Sequence, residues 1–453
     1  MSNPGEADAT PITSVRQLAE YIAVGCKPKE RFRIGTEHEK FGFRRTDLTP
    51  PPYEPDGIRA VLEGLATDGW TPILDGGNPI GLARGNASVS LEPAGQLELS
   101  GGLMATLHET RDELAAHLAA VRDVAAPLGL GFAPLGFHPL ARREDMPWMP
   151  KGRYAIMRRY MPRVGTLGLD MMTRTCTVQV NLDYSSEQDM VRKLRVALAL
   201  QPVATALFAN SPFTEGRPNG FLSYRAQVWT DTDPDRTGIP AMVFEDGFGF
   251  ERYVEWALDV PMYFVNRGGR YIDMAGQSFR RFMDGAFADG PAGRATVGDF
   301  ADHMTTVFTD VRLKRFLEMR GADAGSPAMM LAQSALWVGL LYDDAALAAA
   351  EALVRAHPWN AFAALRPLVP RQGLATPWAG GTLRDLARAM VAIARDGLRA
   401  RGRRDAAGDD ESVCLAPLEA IVAGAPTQAE HWLGLYDGAW RGDVRPILTA
   451  AEV

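Results

Sequence analysis

Four short stretches of the chain set carboxylates, amides and cations on one side of a strand and apolar residues on the other. That alternation limits the fold more than any other feature. Side chains at i and i+2 of a strand share a face, so in Gly35-Thr36-Glu37-His38-Glu39 both carboxylates point the same way. In Ser88 to Ser100, Leu97 and Leu99 face one way and Gln96 and Glu98 the other, with Glu92 just before the turn. In Thr175 to Asp183, Cys176, Val178, Val180 and Leu182 oppose Thr177, Gln179, Asn181 and Asp183. In Arg312 to Arg320, Arg312, Lys314, Glu318 and Arg320 oppose Leu313, Leu317 and Met319. Taken singly, each is a strand with one dry and one wet face. Lining one concave sheet together, they form an oxygen-rich surface studded with cations. Such a surface suits hard cations such as Mg²⁺ and nucleotide phosphates. Carboxylates crowded this way repel one another unless a cation lies between them.

The rest of the chain frames these strands. Ser14 opens a helix with Gln17 at capping-box spacing, and Gly25 and Pro28 close it. Arg31 to Phe43 reads as a strand, Ala105 to Ala126 as a long amphipathic helix, and Ser186 caps another helix. Thr173 to Asp183, Met262 to Ile272 and Arg312 to Arg320 are each expected as a strand. After Pro327 almost everything reads as helix. The expectation is an α+β chain: a disordered tail over 1–13, a mostly antiparallel catalytic sheet over 14–327, and a helical subdomain over 328–453 packed on the same unit.

Several function classes are excluded. A net charge of -7 argues against sequence-independent nucleic-acid binding. The best apolar run, Ala197 to Ala209, is too short for a bilayer and is broken by Gln201 and Pro202. Cys26, Cys176 and Cys414 are too few and too scattered for a disulfide framework or a zinc site. No G-x-x-x-x-G-K-[ST], G-x-G-x-x-G at a strand-to-helix turn, H-E-x-x-H or G-x-S-x-G occurs. Gly247-Phe248-Gly249 reads as a turn before a helix. No signal peptide is legible, and the expected compartment is the cytoplasm.

From Arg33-Ile34-Gly35-Thr36-Glu37-His38-Glu39-Lys40-Phe41-Gly42-Phe43 onward, the chain resembles the plant and proteobacterial type of glutamate–cysteine ligase. The likeness continues through Ser90 to Gly101, Arg174 to Asp183, Ala206 to Asp233 and Leu317 to Asp323. It implies a catalytic sheet like that of glutamine synthetase and its carboxylate–amine ligase relatives. It also implies a reaction in which ATP phosphorylates the γ-carboxylate of L-glutamate and L-cysteine displaces phosphate, giving γ-glutamylcysteine for glutathione synthesis. Other readings are a γ-glutamyl ligase with another amine acceptor, and a silent nucleotide- or glutamate-binding regulator. Carried over by motif, Glu37, Glu39, Glu92, Glu98, Gln179 and Glu318 become the Mg²⁺ ligand candidates. Arg320 and Lys314, with Arg312 behind them, are implied beside the transferred phosphoryl group. Arg153 and Arg225 are implied to hold substrate carboxylates bidentately, and Tyr263 to form a pocket wall. A monomer or homodimer is expected. Two departures stand out: Ala94-Gly95 replaces a Gly-Gly pair, and Met274 stands where plant members carry a regulatory cysteine. The family's redox control is therefore not expected here.

Overall fold

The structure is a computed structural model that describes residues 8–67 and 69–453. Ser14 accepts a hydrogen bond from the Gln17 N–H and starts α1 (Val15–Ala23). The central strand β1 (Ile34–Arg44) follows. After α2 (Ile58–Leu65) come β2 (Thr71–Asp75), β3 (Asn78–Arg84), β4 (Ala87–Leu91) and β5 (Leu97–Ser100). Thr106 and Glu109 form a capping box for α3 (Leu107–Ala125), which leads into β6 (Leu130–Ala133). Next are α4 (Gly152–Tyr160), α5 (Gly168–Arg174), β7 (Thr177–Leu182), α6 (Glu187–Leu207) and α7 (Tyr224–Val228).

The main sheet runs in the order Val311–Leu313, Leu317–Asp323, β7, β1, β5, β4, β3, β2, with β6 pairing the far end of β1. Its pairings are all antiparallel. One face packs Ile34, Val178, Val180, Leu182, Leu317 and Met319 against α6 and the helix Pro327–Leu341. The other carries the polar side chains. Both faces of β1 are buried, since Glu37 and Glu39 are buried along with Ile34 and His38. The polar face that the sequence alone would leave wet is roofed by other segments, α4, α5 and α7 among them.

The structure departs from the sequence expectations at several elements. Met171 to Arg174 is the end of α5, where Arg174 Nε meets Asp170 Oδ1 at 2.7 Å one helical turn back; the strand begins only at Thr177. Met262 to Ile272 is a hairpin, Phe264–Arg267 against Arg270–Asp273, turned by Gly268-Gly269. Arg312 to Arg320 is likewise a hairpin, Val311–Leu313 against Leu317–Asp323. Of the tail expected over 1–13, residues 1–7 lie outside the described residues. The remainder bonds to the chain near 296: Ile12 N–H donates to Ala295 O at 3.2 Å and Val297 N–H to Thr10 O at 2.9 Å. Beyond Pro327 the chain is helical apart from the short pair Pro377–Trp378 and Gly381–Thr382. No helix among the described residues is long and apolar enough to cross a membrane.

Candidate active site

Cross-strand register assembles the site. Residues directly opposed in a ladder share a face, and Glu37 lies opposite Gln179, Glu39 opposite Glu98, and Glu98 opposite Ser90. On the other side Glu318 opposes both Asn181 and Arg312. One continuous polar face therefore runs from Ser90 to Arg312. Between Met319 and Ala322 the strand carries one extra residue relative to β7. This bulge frees backbone groups from the ladder. Arg320 O accepts from Arg225 Nη2 at 2.9 Å, and Gly321 O from Thr205 Oγ1 at 3.1 Å. The extra residue also restores Asp323, opposite Thr177, to the polar face that Glu318 occupies.

Above this face lies a cleft of about 740 Å³, open at its mouth. Glu39, Glu92 and Glu98 supply its acidic side, and Arg153, Arg225, Arg312 and Arg320 its basic side; Gln179 lies among them. Glu92 reaches the cleft from a tight turn at Gly95, whose φ of +83° suits glycine; a Cβ there would meet Ile58 Cγ1 at 2.9 Å. Lys151 Nζ and the Tyr154 hydroxyl both donate to Leu91 O, at 2.6 and 2.9 Å, and hold the start of that turn. Thr177 N–H donates to Glu39 Oε2 at 2.9 Å.

The two halves of the face differ electrically. Burial pushes the Glu39 carboxyl well above its ordinary value, and Glu92 and Glu98 push it further. Burial, with Glu37 and Glu92 nearby, raises Glu98 to about 7. Both would ionise fully only with a cation between them. Glu318 is the reverse. Burial pushes its carboxyl up, but Arg312, Lys314 and Arg320 together outweigh burial and hold it well below the usual range. Arg312 grips Glu318 bidentately, Nε to Oε2 at 2.6 Å and Nη2 to Oε1 at 3.0 Å. Arg320 Nη1 reaches Glu318 Oε2 at 2.9 Å and also contacts Gln179 Oε1.

The structure thus gathers Glu39, Glu92, Glu98, Gln179, Arg153, Arg225 and Arg320 around one cleft. Glu37 sits on the same face, its Oε1 accepting from Asn181 Nδ2 at 2.7 Å. Lys314, 3.4 Å from Glu318 Oε1, stands behind the cleft wall rather than among its lining residues. Tyr263 is not in the wall. It is buried with its hydroxyl on Asp233 Oδ2 at 2.9 Å and its ring under the Arg236 guanidinium at 3.8 Å. Among the described residues no three His, Cys, Asp or Glu side chains converge closely enough to hold a metal by themselves. Residues that the sequence did not single out also line the site. Trp229 walls the cleft, and with Arg225 and Arg320 it also walls a side chamber of about 500 Å³ that includes Asp310 and Arg366. Trp229 lay within a segment of family likeness; Asp310 and Arg366 lie outside the segments of likeness traced above.

A scan of protein families matches residues 33–450 to glutamate-cysteine ligase family 2 (GCS2). The chain is 51% identical over 438 residues to the chloroplastic glutamate–cysteine ligase B of Oryza sativa subsp. japonica, covering 96% of this chain and 86% of that one. It is 51% identical over 440 residues to the chloroplastic glutamate–cysteine ligase of Arabidopsis thaliana, covering 97% and 83%. Among solved structures, the glutamate–cysteine ligase of Francisella tularensis in complex with AMP superposes with a TM-score of 0.58 at 12% identity, over 93% of this chain and 89% of that one. That likeness is one of fold. The cytoplasmic placement expected from the sequence is overturned by these relatives, which are chloroplastic proteins.

Proposed function

We propose a reaction for this chain from a single premise: it belongs to glutamate–cysteine ligase family 2. The enzyme joins the γ-carboxylate of L-glutamate to the amine of L-cysteine with ATP, giving γ-glutamylcysteine, the first step of glutathione synthesis. A γ-carboxylate oxygen attacks the ATP γ-phosphorus and ADP leaves. The cysteine amine then attacks the acyl phosphate carbon, loses a proton, and expels inorganic phosphate.

The observation that supports this reading best is the division of one buried face into an acidic and a basic half. Phosphoryl transfer needs positioning and charge stabilisation more than a nucleophilic side chain. Arg320, tethered to Glu318 and Gln179 beside the bulge, faces the transferring phosphoryl group. Arg312 and Lys314 fix Glu318 and add positive potential behind it. Arg153 and Arg225 hold substrate carboxylates.

The donor set fits Mg²⁺. That ion is commonly held by one or two carboxylates plus nucleotide phosphates, and a cage of three acids is not required. Glu39 and Glu98, opposed in register and both driven toward the neutral form by burial and by neighbouring acids that include Glu92, would hold it with Glu92. Glu37, Gln179 and Glu318 would first have to exchange their present partners Asn181, Arg320 and Arg312. When bound, Mg²⁺ withdraws charge from the phosphoryl oxygens. We further read residues 14–327 as the catalytic part and 328–453 as a helical subdomain on the same unit, because one apolar core runs through both.

The test is phosphate release from Mg-ATP with L-glutamate, with and without L-cysteine, alongside mass detection of the dipeptide. Cysteine-dependent release with γ-glutamylcysteine formed supports the reading. Release with another amine alone would change the acceptor, and silence throughout would favour a binding protein.

A further inference from the structure

The turn that carries Glu92 into the cleft, from Glu92 to Gln96 between β4 and β5, is held from two sides. On one side stand Lys151 and Tyr154, both bonded to Leu91 O, and Met149, whose N–H donates to Pro93 O at 2.9 Å. On the other stands the side chain of Gln96. Its Oε1 accepts the Ala94 N–H at 2.9 Å inside the turn, and its Nε2 donates to the carbonyls of Met172 and Thr175 at 3.2 and 3.1 Å. These carbonyls lie at the end of α5, where a helix has no N–H of its own left to offer them. The His138 N–H meets Arg174 O at 2.8 Å and the Thr175 hydroxyl meets Met171 O at 2.7 Å. Gln96 takes two more.

Donors for two carbonyls beside an acceptor for one N–H are what a carboxamide provides. An ionised carboxylate has no donor, and lysine or arginine no acceptor. Gln96 is buried at 2% exposure and lines the cleft. Glu92 needs such a hold. Among the described residues its carboxylate accepts no hydrogen bond, whereas Glu39 takes the Thr177 N–H and Glu98 the Ser90 hydroxyl at 2.8 Å. The backbone of the turn therefore sets where Glu92 points. On the α5 side Gln96 sets the backbone, and α5 carries Met171 and Met172 into the same cleft.

We infer that Gln96 is a positioning residue for the reaction: its carboxamide fixes the Glu92 carboxylate at the spacing from Glu39 and Glu98 that a divalent cation requires, and ties α5 down over it. Glu92's place at the metal, on which this rests, comes from the ligase reading. Gln96 acts through Glu92 and not on the ion.

Mn²⁺ binding to the full chain, without nucleotide or turnover, tests it, with the bound fraction read from loss of the hydrated ion's electron paramagnetic resonance signal. Glu92→Gln sets the scale. Gln96→Met keeps the length of the side chain and has no N–H to donate. Disturbing a residue that orients a metal ligand commonly costs about ten- to a hundredfold in affinity, so Gln96→Met is expected to weaken Mn²⁺ by about tenfold or more. The Mg²⁺ needed for half-maximal activity should rise in step, while the L-glutamate KM stays within about threefold. On the Glu92→Gln background Gln96→Met should add less than about twofold, because the group it aims is gone. Gln96→Asn, one methylene short but still polar, takes its place should Gln96→Met fail to fold. Unchanged Mn²⁺ affinity in the single variant, or equal weakening with and without Glu92, overturns the assignment while Glu92→Gln still binds Mn²⁺ poorly. Glu92→Gln indistinguishable from wild type removes Glu92 from the metal site, and the role of Gln96 falls with it.

Discussion

Replacing Glu318 by glutamine keeps the shape of the side chain and removes its charge. In the folded protein that charge is met by Arg312 at 2.6 and 3.0 Å, Arg320 at 2.9 Å and Lys314 at 3.4 Å, with Glu318 fully buried. Arg312 cannot swing out to water when its partner changes. Its Nη1 is held by the carbonyls of Thr305 and Val307 at 2.7 and 3.0 Å. Glutamine offers one acceptor where two guanidinium N–H groups need one each, and it turns an amide N–H₂ toward the other. Breaking a buried pair while leaving one charge behind costs about 3–5 kcal/mol. Glu318→Gln should therefore lower unfolding free energy by about that much in urea, and the surviving folded protein should release no cysteine-dependent phosphate. Arg312→Gln alone leaves Glu318 with Lys314 and Arg320, so its cost should be smaller. The double variant should recover part of the loss, with a coupling of about 2 kcal/mol, inside the usual range for contacting residues. Additive losses, or near-normal activity in Glu318→Gln, would refute both the energetics and the role given to this acid.

Other consequences can be checked separately. Arg225→Ala should raise the L-glutamate KM by roughly ten- to a hundredfold and the ATP KM far less; steady-state kinetics showing equal shifts would argue against its carboxylate role. Glu39→Gln should raise the Mg²⁺ concentration needed for half-maximal activity by about tenfold or more, and an unchanged Mg²⁺ curve would remove Glu39 from the metal site. Burial holds His303 down at about 4 despite its bond to Ala257 O at 2.8 Å. The unfolded chain therefore binds a proton between about pH 6.5 and 4 that the folded one refuses, and stability falls as pH falls through that window. At pH 5 His303 alone accounts for a loss of about 2 kcal/mol relative to pH 7.5. The difference in urea stability between wild type and His303→Gln should shift by that amount in favour of the variant at pH 5; parallel pH profiles would contradict it.

The sequence carried the strand faces well. Glu37, Glu39 and Glu98 were legible because a strand's period of two holds wherever the ladder is regular, and register then brings them together. Regularity failed near Arg320. The bulge changes which side chains share a face, and Gly321 is too small a signal to announce it. The hairpin at Lys314 to Phe316 was missed because no glycine, proline or asparagine marks its turn. The end of α5 was misread because Thr173 and Thr175 resemble a strand, whereas the Asp170–Arg174 pair one turn apart favours helix. Tyr263 looked like a site residue because the family resemblance placed it in a pocket wall, but its hydroxyl is claimed by Asp233. The side chamber was illegible for another reason: Pro202, Asp310 and Arg366 meet only through tertiary packing.

The extra residue in Leu317–Asp323 gives the strand something like a reading frame. Before it, even-numbered positions face the cleft; after it, odd-numbered ones do. Asp323 depends on that frame. Its oxygens take the Asn210 N–H at 2.8 Å and the Ser211 and Ser223 hydroxyls at 2.7 and 2.8 Å, and Ser223 caps the helix that carries Arg225. Deleting Gly321 would remove no side chain from the site, yet it would turn the aspartate into the apolar core and release the helix from its anchor. Substitutions there can drift one at a time. Changes of length cannot, unless they come in pairs.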